Sequence, residues 1–187
     1  SMKAQDFLAT FVEGYLLEDL KTMASCEVRP GHGNLGYPML MTLITGCELL
    51  GSLLCHPKRE QNGTAVAHFW DNHLSTSNPR YRQIGAAVYQ LARNGVAHSF
   101  VAKPGIHVTK HNHARHLCWT PAEGFVIDVL ALYRDFQNAY SAVRPRLNSA
   151  DEAVQQLIKD YSANATHHGR VLEQLTCDEG FEAIEFE

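Results

Sequence analysis

The sequence predicts a single, mainly helical domain carrying a small β-hairpin. Two long segments repeat apolar residues at helical spacing, breaker clusters divide them cleanly, and one short stretch after residue 105 alternates as a hairpin would. The 187 residues fit one domain of ordinary size, residues 1–187, and 45% hydrophobic with 19% charged residues is a normal globular balance.

The first helix is expected over Ala4–Ala24, where Phe7, Leu8, Phe11, Val12, Tyr15, Leu16 and Leu20 recur at helical spacing. Pro30-Gly31-His32-Gly33-Asn34 breaks the chain into a loop. The second helix is expected from Tyr37 to Leu54, stopped by His56-Pro57. It is apolar nearly all round, which predicts a central, buried helix. Glu48 interrupts this run, which argues against a membrane span. A short helix follows over Thr64–Asn72. Asn78-Pro79 should start the next, running through Tyr81, Ile84, Val88 and Leu91. After Pro104-Gly105, Ile106–Lys110 and His116–Thr120 are expected to pair as a hairpin around Asn112-His113-Ala114, with its histidines at a solvated tip. A long helix is expected from Pro121 to Val143, with Pro145 stopping or kinking it. Helical segments over 150–162 and 167–175 precede an acidic tail.

The net charge of −4 argues against indiscriminate nucleic-acid binding, but it is unevenly spread. Residues 1–27 carry −3, residues 28–115 carry +6 and residues 116–187 carry −7. Nine of the eleven histidines lie between His32 and His116. The basic, histidine-rich middle is therefore where a polyanion would be met. Ser1-Met2-Lys3 has no signal-peptide character, and five widely spaced cysteines without a C-x-x-C point to a reduced, cytoplasmic setting.

Within that middle stands Arg93-Asn94-Gly95-Val96-Ala97-His98. A guanidinium holds phosphate through a forked, permanent charge, and an imidazole moves protons near neutral pH. Arginine with histidine four to six residues later is expected about 1.8 times by chance in this composition, but adding the asparagine and fixing one spacing lowers that to about 0.03. On a regular helix Arg93 and His98 are about 140° apart, so joint chemistry requires a break at Gly95 or a second subunit. Glu48 is the only charged residue from Gly31 to Pro57. A carboxylate on so apolar a helix demands a partner, and Arg93 is the first candidate.

Arg93-Asn94-x-x-x-His98, following an amphipathic helix and preceded by a long apolar one, resembles the HEPN superfamily. The resemblance covers roughly Ala4–Lys103. It implies an all-α bundle that dimerises with its motifs at the interface, and metal-independent RNA cleavage as found in toxins, antiviral systems and RNA-processing factors. An antitoxin or other protein partner is implied for some members, and others act as non-catalytic binding modules for a nucleotide or protein. Arg93 and His98 match the catalytic pair and Asn94 its polar neighbour. Glu48 is expected to assist. Lys58, Arg59, Arg80, Arg82 and Lys103 are candidates for RNA backbone contacts, with ordinary solvated surface as the alternative. His107, His111, His113, His116 and Cys118 form a dense set of metal-ligand types, but in no finger spacing, so no metal site is expected and a metal-binding protein is only the third reading.

Overall fold

A computed structural model describes residues 2–27, 35–55, 62–93, 105–160 and 162. The fold is mainly helical with one small three-stranded sheet.

Helix α1 is one rod built from Ala4–Phe7, Leu8–Leu17 and Glu18–Ser25, with its middle stretch π-wound. Its buried face is Ala4, Phe7, Leu8, Val12 and Leu20, matching the expected apolar stripe. Phe11 and Tyr15, counted in that stripe from the sequence, instead face solvent at 40% and 61% exposure. Helix α2, Gly36–Cys55, is the central element, with eleven buried residues including Leu40, Leu43, Ile44, Cys47 and Leu50. It is long and apolar enough to cross a membrane, and 56% of its most apolar stretch is buried against the rest of the chain. Helix α3, Asn62–Asn72, lies along it. The two backbones meet at Gly51, where any Cβ would stand 2.0 Å from the Ala65 carbonyl oxygen.

The expected helix from Asn78 is broken in two. Pro79–Tyr81 forms one 3₁₀ turn, capped by the Asn78 side chain accepting from the Arg80 amide. Gln83 then takes φ +67, with its amide held by Asp71, and helix α4 starts at Gly85–Val88 and continues π-wound through Tyr89–Arg93. Gly85 permits this docking, because a Cβ there would stand 2.8 Å from the Trp70 side chain.

The sheet corrects two expectations. Strands β1 (Ile106–Thr109) and β2 (Cys118–Thr120) do not pair with each other. An unexpected strand, β3 (Gly124–Asp128), lies between them, parallel to β1 and antiparallel to β2. A hairpin exists, but it joins β2 to β3. Helix α5 accordingly begins at Val129, not Pro121, and runs to Leu147 with Pro145 in its last turn, where the ring removes only one hydrogen bond. A final helix, α6, covers 151–160 as expected; the segment expected over 167–175 lies outside the described residues.

Basic side chains satisfy the free carbonyls at two helix ends. Lys110 Nζ donates to the Met23 and Cys26 carbonyls at 2.9 and 2.8 Å, and Arg146 donates to the Leu54 carbonyl at 3.1 Å. Phe69 and Phe136, with ring centroids 5.7 Å apart, join α3 to α5 across the core.

Candidate functional site

The motif is divided by what the structure describes. Arg93 is the last residue of the π-wound segment, which packs on α2, the helix that carries Glu48. Glu48 is half-buried. The Arg93 side chain, and with it the expected Glu48–Arg93 pair, lies outside the described residues, as do Asn94, His98, Lys58, Arg59 and Lys103. Arg80 and Arg82 are exposed.

A second group of chemically capable residues is fully described, around the sheet. Register fixes its two faces, because directly paired residues point the same way. Ile106, Phe125 and Ile127 turn toward the hydrophobic core. His107, Val126 and Cys118 form one row on the opposite face, and Thr109 and Asp128 form the next.

Asp128 organises that face. Its side chain is fully buried, yet it ends β3 and caps α5 by accepting from the Ala131 amide at 3.0 Å. It also accepts from the Asn112 amide at 2.6 Å, the Thr109 hydroxyl at 3.2 Å and His113 Nδ1 at 2.7 Å. Burial alone pushes its pKa up, but the Asn112, Ala131 and His113 hydrogen bonds outweigh burial and hold the group below the ordinary carboxylate range. A carboxylate only accepts, so His113 carries its proton on Nδ1 and leaves Nε2 directed away from the pair. The His113 side chain is 51% exposed. The result is an imidazole of fixed tautomer and orientation, the arrangement a general base requires.

Behind it runs a directed chain of buried hydrogen bonds. The Asp128 amide donates to His116 Nδ1 at 3.0 Å, so neutral His116 donates from Nε2 to the Tyr81 oxygen at 2.7 Å. Tyr81 in turn donates to Asp135 Oδ2 at 2.8 Å. Burial lowers the His116 pKa to about 4, and burial together with the neighbouring Asp135 raises that of Tyr81. Burial also raises Asp135, against the Tyr81 hydrogen bond. The chain cannot reverse, since a proton on His116 Nδ1 would confront the Asp128 amide. It is therefore a strut, and no proton passes along it to His113.

The expectation of a solvated histidine tip holds for His107, His111 and His113, which are exposed, but fails for His116, which is buried, and His113 is in addition bonded to Asp128. Among the described residues no group of three or more histidine, cysteine, aspartate or glutamate side chains could hold a metal ion. Sequence reasoning missed Asp128, Tyr81 and Asp135. The available signal was an aspartate directly before the periodic run Val129-Leu130-Ala131-Leu132, which is a helix N-cap pattern.

No family model, curated protein or solved structure matches this chain.

Proposed function

We propose that the protein is a metal-independent ribonuclease of HEPN type, cleaving RNA at Arg93 and His98 with Asn94 and Glu48 assisting, and that it works as a homodimer. In this reading neutral His98 takes the proton from a ribose 2′-hydroxyl, whose oxygen attacks the adjacent phosphorus. The bond to the 5′-oxygen breaks, leaving a 2′,3′-cyclic phosphate and a 5′-hydroxyl protonated by the partner subunit's histidine of the same motif. Arg93 stabilises the charge that grows on the phosphoryl oxygens. The observation carrying the reading is the place of Arg93: it closes a π-wound turn docked on the central helix. Such turns occur frequently at functional sites, although α1 shows that this chain also uses one elsewhere.

The test is cleavage of total RNA in EDTA by wild type, His98→Ala and Arg93→Ala. Loss of a general base or of phosphoryl stabilisation should each lower the rate by about 100-fold or more, with cyclic phosphate ends on the wild-type products. Equal background activity in all three proteins would sink the nuclease reading and leave a non-catalytic binding module in its place.

A further inference from the structure

Arg80 is held in place without being neutralised. Its amide is fixed by Asn78 at 3.0 Å, and its neighbour Tyr81 is locked to His116 and Asp135. The guanidinium reaches across to β2, where Nη1 donates to Cys118 Sγ at 3.3 Å. Three other arginines of the described residues meet carboxylates, Arg115 with Glu123, Arg144 with Glu13 and Arg134 with Asp135, while Arg146 donates to the Leu54 carbonyl. Arg80 meets none among the described residues. Glu123, in the turn after β2, is already engaged by Arg115, and Asp71 by the Gln83 amide.

The next residue along β2 is Trp119, 66% exposed and the most exposed large hydrophobic side chain among the described residues. Among the described residues strand β2 is an edge, paired only with β3. Cys118 and Trp119 point to opposite faces, so the uncompensated cation and the open indole flank one short edge strand. A fixed cation on one face of an edge strand and an exposed aromatic ring on the other suit a ligand that wraps the edge and alternates charge with flat apolar surface. Single-stranded nucleic acid has that alternation, since its phosphates seek guanidinium groups and its unpaired bases stack on indoles. An apolar peptide added to the edge would leave Arg80 without a counter-charge.

We propose that the β2 edge is a docking site for single-stranded RNA, with Arg80 holding a backbone phosphate and Trp119 stacking a base. The choice of RNA as the polymer rests on the function proposed above; the surface itself does not involve Arg93 or His98.

The chain has two tryptophans, and Trp70 is fully buried, so Trp119 reports on its own surface. The probe is a 2′-O-methyl oligouridylate of about ten nucleotides, which fits one binding module and cannot be cleaved by 2′-hydroxyl attack. Binding should quench the exposed tryptophan emission and saturate. By anisotropy of the labelled oligonucleotide, Trp119→Ala should bind about tenfold more weakly and Trp119→Phe should retain most of the affinity. Arg80→Ala should weaken binding and reduce the slope of log affinity against log salt by about 0.7. Both side chains are exposed, and unchanged circular dichroism and melting temperature confirm that the variants fold. Absence of saturable binding by wild type, or binding that neither Trp119→Ala nor Arg80→Ala weakens, overturns the proposal. The two readings fail separately: cleavage that depends on His98 with no response at Trp119 rejects this surface alone, and Trp119-dependent binding without cleavage rejects the nuclease alone.

Discussion

His116 shows at the scale of one residue how burial turns an ordinary side chain into a pH-sensitive strut. Burial holds the folded imidazole to about 4, whereas an exposed imidazole titrates near 6.5. Between those values the unfolded chain binds a proton that the folded chain refuses. Stability is therefore full above pH 6.5 and falls as pH drops toward 4, by up to about 3 kcal/mol from this group. Two carboxylates near it also titrate, with Asp128 lowered and Asp135 raised, and the positive charge of Arg134 and His113 adds to the lowering of His116. The clean measurement is thus a difference between wild type and His116→Gln in urea unfolding from pH 4 to 7. His116→Gln should be less stable at pH 7 and lose less on acidification; parallel pH curves for the two proteins would reject this assignment. Little of this network was legible in the sequence. The Arg93–His98 string declares itself by spacing within a few residues, whereas Tyr81, His116, Asp128 and Asp135 are joined only by folding. Asp128 was further obscured because apolar residues flank it on both sides.

At the scale of elements, the helices that periodicity should reveal were revealed. The stripe of α1 and the all-round apolarity of α2 placed both within a residue or two of their observed ends. The failure lay in Phe125–Leu132, a short apolar run in which strand and helix cannot be told apart by spacing. It holds the end of one and the start of the other, with Asp128 at the junction. Close packing of α2 on α3 was equally hidden, because it depends on a glycine's missing atom. Gly51 presses against the Ala65 backbone, so the oxygen that a methyl group would strike cannot rotate away. Gly51→Ala should destabilise the fold by about 3 kcal/mol or more, as forced separation of packed helices does. Gly63→Ala on α3 is the matched control. There the new Cβ meets only the Tyr89 ring at 3.4 Å, and the helix gains up to about 1 kcal/mol of propensity. Thermal melts that shift equally for the two substitutions would contradict the close approach at Gly51.

Across the whole molecule, the N-terminal rod is bound to the C-terminal half by polar clasps as well as by its apolar stripe. The Ala4 amide donates to Asp151 at 2.7 Å, and Gln155 donates to the Met2 carbonyl. Midway along, Glu13 accepts from Arg144 Nε at 2.5 Å and from Tyr140 at 2.9 Å, and these bonds hold its carboxyl below the ordinary range. Lys110 closes the far end. The central helix depends on none of these clasps, since its residues are buried against α3 and α5. Part-exposed ion pairs also contribute far less than buried apolar contacts. Loosening the clasps should thus release α1 before it disturbs α2, as regions with fewer buried contacts open at lower free energy. Combining Glu13→Gln with Asp151→Ala should speed amide hydrogen exchange across Ala4–Ser25 by about tenfold while Leu40–Leu50 keeps its wild-type protection. Were both segments to accelerate together, α1 and α2 would form one cooperative unit, and the clasps would be reporting on the stability of the whole bundle.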